Sequence, residues 1–464
     1  MPSTDPSADP SSRPFADLKP HLRFPASLVT EITDEHESYT HDATFFTNKP
    51  AAILRAECVE DIIAAVNFCR EHGHPITTRG AGTGLSGGCV PSAGALLIST
   101  AKMTRFSIDV DTKTALCEPG VITKTLQDSA AEHGLTYPPD PASFAECTLG
   151  GNVAEGAGGL RCKRFGVTKD YVIGLEAVLA DGRLLKTGCF NDYRGFSLGD
   201  LLIASEGTLA IITRIAVRLI HQVGRGDTIL VAFDQPVDAA RTVSQINAGG
   251  IIPTVMEFLD GDAAACSNEY EKTDGLDNVA AILLLETSDV DREGQTAQIR
   301  KLCEDNHCSY LCVQTDAAKA DELWRVRRNL SYASKAVAEL RISEDVAVPN
   351  DRFPVLVAFV ADMNRNSSLR INSYGHAGDG NLHVNFMAEK DTPENRAEID
   401  RQVEILMRKT LEMGGTLTGE HGIGLAKQPY LRLEFTPATL DTMRRVKDLL
   451  DISNLLNPDK LLPS

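Results

Sequence analysis

No apolar run in this chain approaches the ~18 residues that a membrane-spanning helix needs, although hydrophobic residues make up 42% of its 464 positions. Positive charge is also short: 46 Lys and Arg stand against 64 Asp and Glu, a formal net charge of −18. That imbalance argues against nucleic acid as a partner and against a broad electrostatic hold on anionic lipid. An anionic substrate would need local positive charge to offset the field of the whole protein. The 11 cysteines are odd in number and lack the spacing of a disulfide framework, which suggests a reducing compartment. Cys303, Cys308 and Cys312 lie close together, but their spacing does not match the common iron–sulfur patterns, so they read as structural thiols. Residues Met1 to Pro20 have neither the apolar core of a secretory signal nor the arginine-rich character of a transit peptide. They read as a disordered leader rich in Pro, Ser and acidic residues. No internal repeat is present. These absences point to a cytoplasmic protein and leave peripheral attachment to a membrane open.

What the chain does have is concentrated in a few glycine-rich stretches. Gly375-His376-Ala377-Gly378-Asp379-Gly380-Asn381-Leu382-His383-Val384-Asn385 is followed by Gly419-Glu420-His421-Gly422. Three imidazoles and a carboxylate embedded in glycine suit a divalent ion with an open coordination position. Polar and apolar residues alternate from Asn381 to Phe386, as in a strand, with Asn381, His383 and Asn385 on one face. His376 is expected in a loop before that strand, folded back so that both histidines reach one ion. Adjacent residues in an extended segment point in different directions, so Glu420 is expected as third ligand and His421 as the group facing substrate. A lone histidine on a strand is usually a hydrogen-bonded structural residue; two in one short stretch plus a Glu-His pair favour the metal. Zn²⁺ is the default, and Fe²⁺ or Mn²⁺ fit the same donors.

Pro75-Ile76-Thr77-Thr78 reads as a strand running into Arg79-Gly80-Ala81-Gly82-Thr83-Gly84-Leu85-Ser86-Gly87-Gly88. Stripped of side chains, such a loop brings its amides close to an anion. It is no Rossmann fingerprint, because it leads to Val90-Pro91 and an apolar strand rather than directly into a helix.

Further along come Pro138-Pro139-Asp140-Pro141-Ala142-Ser143, then Thr148-Leu149-Gly150-Gly151-Asn152-Val153-Ala154, and later Ser205-Glu206-Gly207-Thr208-Leu209-Ala210-Ile211. With these segments the chain resembles the FAD-linked oxidoreductases of the vanillyl-alcohol oxidase type. Within that group it is similar to the branch of D-lactate dehydrogenase, glycolate oxidase and D-2-hydroxyglutarate dehydrogenase. The resemblance runs from about Phe45 to Asn457-Pro458-Asp459-Lys460-Leu461. It implies an α+β fold, with a two-part FAD-binding domain and an α+β cap on an antiparallel sheet.

The resemblance also implies roles. Arg79, Gly80, Ala81, Gly82, Thr83, Gly84, Ser86 and Gly87 would cradle the FAD pyrophosphate. Pro139, Asp140, Ser143, Gly150, Gly151, Asn152 and Ala154 would lie along the cofactor. Glu206 and Ile211 would contact its adenine half, and Asn457 would approach the isoalloxazine. The loop holds no His, so non-covalent FAD is expected. Arg327, in Trp324-Arg325-Val326-Arg327-Arg328, would pair with the substrate carboxylate, for which a guanidinium offers two parallel donors; Arg325 and Arg328 read as solvated. Ser331 would supply a hydroxyl. Ser343 stands where the hydroxyglutarate branch has a Lys, and this tilts the choice toward lactate or glycolate.

The organisation expected is a leader and extension over residues 1–40, an FAD domain over 41–222, a cap over 223–412, and a return to the FAD domain over 413–464. Helices are expected at Cys58 to His72 and from Trp324 to about Leu340. The implied reaction is oxidation of a D-2-hydroxy acid, D-lactate first, to the 2-oxo acid. His421 would take the hydroxyl proton, and electrons would pass to a separate acceptor: an electron-transfer flavoprotein, a quinone or a cytochrome. A non-catalytic flavoprotein subunit of a larger complex is the alternative, and an oxidase using oxygen directly stays open.

Overall fold

Val59, Ile62, Ile63, Val66 and Cys69 recur at helical spacing, and the Val59–His72 helix buries Ile62, Ala65, Val66, Phe68 and Cys69. Gly73, at φ +71°, ends it in the left-handed conformation that glycine adopts without strain. This computed structural model describes residues 15–191, 195–272 and 278–463, and the side chains of Ser331, Tyr332 and Lys335 lie outside the described residues. The chain divides into two compact units. One comprises the residues up to Ala157, Val167–Gln222 and His421 onward; the other comprises Gly158–Gly166 and Val223–Glu420.

In the first unit a four-stranded sheet runs in the order Leu28–Val29, Ala52–Arg55, Leu96–Ser99, Ile76–Arg79. Its last three strands are parallel. A five-stranded antiparallel sheet orders Phe106–Asp109, Thr114–Cys117, Ile211–Arg218, Val172–Val178 and Leu184–Lys186. The disordered leader expected over Met1 to Pro20 ends too late. Phe15–His21 is a 3₁₀ helix, and Phe15 and Leu18 join the core beside Phe68. Three apolar residues, Phe15, Leu18 and Leu22, outweigh the composition of the segment around them.

The second unit is built on one seven-stranded sheet. Its order is Cys308–Gln314, Thr228–Phe233, Ala281–Glu286, Val255–Asp260, Arg370–His376, Asn381–Ala388, Leu340–Ala347, and every pairing is antiparallel. Leu230, Leu259, Leu284 and Tyr374 share one face and pack against Trp324, Val326 and Leu330 of the Ala317–Ala336 helix. That helix stops short of the expected Leu340 because Leu340 opens the edge strand. The second unit also takes in residues 158–166. Arg164 there donates to Thr254 Oγ1 (2.7 Å) and to Asp289 (2.6 Å). At its other end the unit extends to Glu420, eight residues beyond the expected 412.

Candidate functional site

His376 is the last residue of the Arg370–His376 strand, not a loop residue, so the expectation for it is corrected. The turn after it is short: a 3₁₀ helix over Ala377–Asp379, then Gly380 at φ +77°. A Cβ on Gly380 would run into the Val348 carbonyl, so both conformation and space require glycine there. The hairpin register sets Tyr374 opposite His383. His376, two residues on from Tyr374, therefore faces the same side of the sheet as His383. Their rings stand perpendicular with centroids 5.4 Å apart.

Glu420 completes the group. Its Oε1 lies 3.0 Å from His376 Nε2 and 3.4 Å from His383 Nε2. Four ligands placed tetrahedrally at about 2.05 Å from an ion stand about 3.4 Å apart, so these separations would admit an ion. Among the described residues, His376, His383 and Glu420 are the one group of three such donors converging on a point. Asp345, opposite His383 on the edge strand, accepts from the amides of Gly419 (2.7 Å) and Glu420 (2.6 Å). A buried carboxylate thus draws the Gly-Glu segment onto the sheet.

Behind His376 sits Glu257, fully buried in Val255–Asp260. Its Oε1 is 2.6 Å from His376 Nδ1, and its Oε2 accepts from Arg327 Nε. Bonding at Nδ1 orients the ring and leaves Nε2 toward Glu420, the usual arrangement behind a metal-ligating imidazole. Burial would raise Glu257, but the His376 and Arg327 charges more than offset it and bring its pKa down to about 2. Burial would likewise lower His376, but the Glu257 and Glu420 carboxylates raise it well above the ordinary histidine range. Arg327 lies over the Tyr374 ring, 5.0 Å from its centroid. Arg325 and Arg328 are exposed, as expected, donating to Glu271 and to the Asp321 carbonyl.

In the first unit the glycine loop follows the Ile76–Arg79 strand. Among the described residues none accepts a hydrogen bond from the backbone N–H groups of Gly80 through Ser86. A run of amides left without protein acceptors is a ready cradle for a pyrophosphate. The buried Arg79 folds back on the loop, donating to the His41 carbonyl at 2.5 Å. Gly87 N donates to Asp42 at 2.8 Å. Gly82 has φ +79°, and a Cβ there would overlap the Arg79 guanidinium. Gly82→Ala is therefore expected to lower bound flavin several-fold or more, read as the ratio of flavin to protein absorbance in the purified protein.

The other expected cofactor residues fall into two groups. Ser143 Oγ donates to Thr83 Oγ1 at 3.4 Å, which ties its segment to the loop. A Cβ on Gly80 would meet the Thr148 hydroxyl, so the Leu149–Glu155 helix, with Gly150, Gly151, Asn152 and Ala154, begins against the same loop. Pro139 is buried and its carbonyl accepts from Gln127. Glu206, Ile211 and Asn457 also make contacts within the protein. The Glu206 carboxylate accepts from the amides of Ile423 (2.7 Å) and Gly424 (2.6 Å), just after His421. Ile211 is fully buried in the core. Asn457 Nδ2 donates to the Gly88 and Glu206 carbonyls, which makes it a clamp on the loop.

Two family models match the chain: the FAD binding domain over residues 50–188, and the C-terminal domain of FAD linked oxidases over residues 225–461, about half the chain. The chain belongs to the FAD-linked oxidases. Among its relatives, the glycolate oxidase subunit GlcD of Bacillus subtilis (strain 168) is 35% identical over 431 residues, 91% of each chain. The D-lactate dehydrogenase of Anaerostipes hadrus is 33% identical over 453 residues, covering 93% of this chain and 94% of its own. That of Archaeoglobus fulgidus is 32% identical over 449 residues, covering 94% and 98%.

Solved structures share the fold. A p-cresol methylhydroxylase with substrate bound superposes with a TM-score of 0.78 at 16% identity, covering 96% of each chain. The 4-ethylphenol oxidase of Gulosibacter chungangensis gives 0.76 at 18% identity over 99% of each. This FAD-linked oxidase is thus an enzyme of the vanillyl-alcohol oxidase type, D-lactate dehydrogenase and glycolate oxidase branch, with the expected α+β fold and FAD as its cofactor. Among its described residues no helix is long and apolar enough to cross a membrane.

Sequence reasoning missed Glu257 and Asp345. Glu257 could have been found: it is one carboxylate inside the apolar run Val255 to Leu259, and a charge so placed demands a partner. The Ser331 side chain lies outside the described residues.

Proposed function

We propose that the protein oxidises a D-2-hydroxy acid, with D-lactate as the first candidate, to the 2-oxo acid on non-covalent FAD with the help of a divalent ion. The observation that carries the metal half of this reading is the Glu420 Oε1 placed 3.0 and 3.4 Å from two imidazole nitrogens. Bound FAD supplies the acceptor for the C2 hydride. A divalent ion on His376, His383 and Glu420, Zn²⁺ by default, supplies the Lewis acidity that lowers the pKa of a hydroxyl. Arg327 holds the substrate carboxylate. Its Nε is committed to Glu257, while its Nη groups have no protein acceptor among the described residues. Glu257 keeps the His376 ring oriented and balances the Arg327 charge in the buried interior. His421 takes the hydroxyl proton. Electrons leave to a separate acceptor.

Glycolate is the second reading, favoured by the name of the 35% identical Bacillus relative. The experiment is anaerobic mixing of the flavin-loaded protein with D-lactate, L-lactate, glycolate and D-2-hydroxyglutarate in turn. Bleaching of the flavin by a D-acid or glycolate, lost on chelation and restored by metal, is expected; an oxidised flavin throughout in metal-replete protein would sink the reading. His383→Ala is expected to lose metal from one equivalent per chain to a small fraction, measured by elemental analysis after gel filtration. Stoichiometric metal in that variant would remove His383 from the ligand set.

A further inference from the structure

Segments far apart in sequence close on one point of the first unit. The Leu149–Glu155 helix ends there, and its Val153 and Ala154 carbonyls accept from the amides of Ala204 (3.0 Å) and Glu206 (2.8 Å). That sets Glu206 beside Glu155. At the end of the glycine loop the Ser86 carbonyl accepts from the amides of Leu425 (2.8 Å) and Ala426 (3.0 Å). The Ser86 hydroxyl donates to Glu155 Oε2 at 3.3 Å. Gly422 lies between the two carboxyl groups: a Cβ there would stand 2.7 Å from Glu155 Oε2 and 2.9 Å from Glu206 Oε1. A Cβ on Gly88 would stand 2.9 Å from Glu155 Oε1. Glu155 and Glu206 thus flank a gap that admits no side chain, next to His421.

Two carboxyl groups so placed, with little water between them, do not both ionise easily. Glu206 is the better-supported anion. Burial raises its pKa, but the Ile423 and Gly424 amides and the Lys427 and Lys460 charges all favour its charged form. It is also held at φ +51°, a left-handed conformation that a glutamate keeps only where its surroundings enforce it. Glu155 lacks such support. Withdrawal from water raises its pKa well above the ordinary carboxylate range, the Glu206 and Asp42 charges raise it further, and the Ser86 hydroxyl and Lys460 oppose this too weakly. Cys89, packed against the same groups, stays a thiol, pushed up to about 12 by its withdrawal from water. The proton of the pair therefore resides on Glu155.

We propose that Glu155 is a positioning residue for His421: with its proton on, Glu206 holds the segment that follows His421, and with its proton lost that hold breaks. This rests on the reading of His421 as the base. In the unfolded chain a glutamate gives up its proton at about pH 4.3. The folded arrangement therefore has the full benefit of the Glu155 proton below that value and loses it as pH rises through the raised folded value. Above it, two like charges face each other across Gly422, and parting them pulls Glu206 from the Ile423 and Gly424 amides. Lys460 is the other group to change charge in alkaline solution, since burial lowers it to about 8. It donates to Asn457 Oδ1 at 3.1 Å and reaches Thr77 Oγ1 at 3.5 Å.

The test is hydrogen exchange of the FAD-loaded, metal-replete protein, read by mass spectrometry from about pH 6 to about pH 9.5 and referred to the intrinsic rate at each pH. The Ile423 and Gly424 amides are expected to lose about tenfold or more of their protection across one transition, and flavin reduction by substrate to slow across the same transition. Glu155→Gln carries a neutral group that cannot ionise, so it is expected to raise the transition by about one pH unit or more, or to abolish it. Glu155→Asp restores a titrating acid and is expected to restore a transition. An unmoved transition in Glu155→Gln assigns it to another group and overturns the proposal, as does constant protection in the unmodified protein. Lys460→Met serves if Glu155→Gln does not fold. It is expected to keep a transition, and low protection at every pH would assign the hold to Lys460 instead. A failure of His421 as the base looks different: the Glu155-dependent exchange transition persists while the rate of flavin reduction does not follow it.

Discussion

His421→Ala is expected to slow anaerobic flavin reduction by substrate at least 10²-fold, the lower end of about 10²–10⁴ for a positioned general base, while FAD and metal remain bound. The argument is one of separated duties. The donors at hydrogen-bonding distance from one another are His376, His383 and Glu420. The amides without protein acceptors are those of Gly80 to Ser86. His421 belongs to neither set. It is followed by Gly422 at φ +86°, and the Ile423 and Gly424 amides are pinned by Glu206. Those anchors hold the segment independently of the His421 side chain. Stopped-flow bleaching gives the rate, and absorbance and elemental analysis give the two occupancies. Reduction at the unmodified rate would assign the proton to another group.

Glu257→Gln carries the second large effect, and it splits into two measurable parts. An amide in place of the carboxylate leaves the Arg327 charge buried without its partner, which costs about 3–5 kcal/mol when one half of a buried pair is removed. It also leaves His376 Nδ1 with a weaker partner. Loss of such support behind a ligating imidazole typically weakens metal binding about 10–100-fold. Denaturant unfolding reads the first part and competition with a chelator the second. Adding Arg327→Met to Glu257→Gln separates them: stability is expected to recover while metal affinity stays low. Recovery of both would mean that Glu257 serves Arg327 alone.

Much of this was legible because it is local. The alternation around His383 specified a strand, and Asn381–Ala388 is one. The helical spacing from Val59 to Cys69 and the glycine after it marked the Val59–His72 helix to within one residue. What escaped depends on partners brought together by register. His376 was expected in a loop because its glycine neighbours are flexible in isolation, yet pairing with Glu257 across the sheet extends the strand through it. Glu206 and Asn457 were assigned to the cofactor because their segments lie along it in the resembled family. Their side chains also bond backbone groups of the protein itself, partners that only the folded chain reveals.

The chain passes between its two units four times, after Ala157, Gly166, Gln222 and Glu420. The first unit needs its last segment: Leu456 bridges to Ile76, and Asn457 ties Gly88 to Glu206. During synthesis, then, the glycine loop emerges early and waits for a closing piece made more than 360 positions later. Contacts of such sequence separation form late and slowly. Cofactor capture therefore belongs to the period after translation has passed Asn457, and the half-made nascent protein is the species that would lean on chaperones.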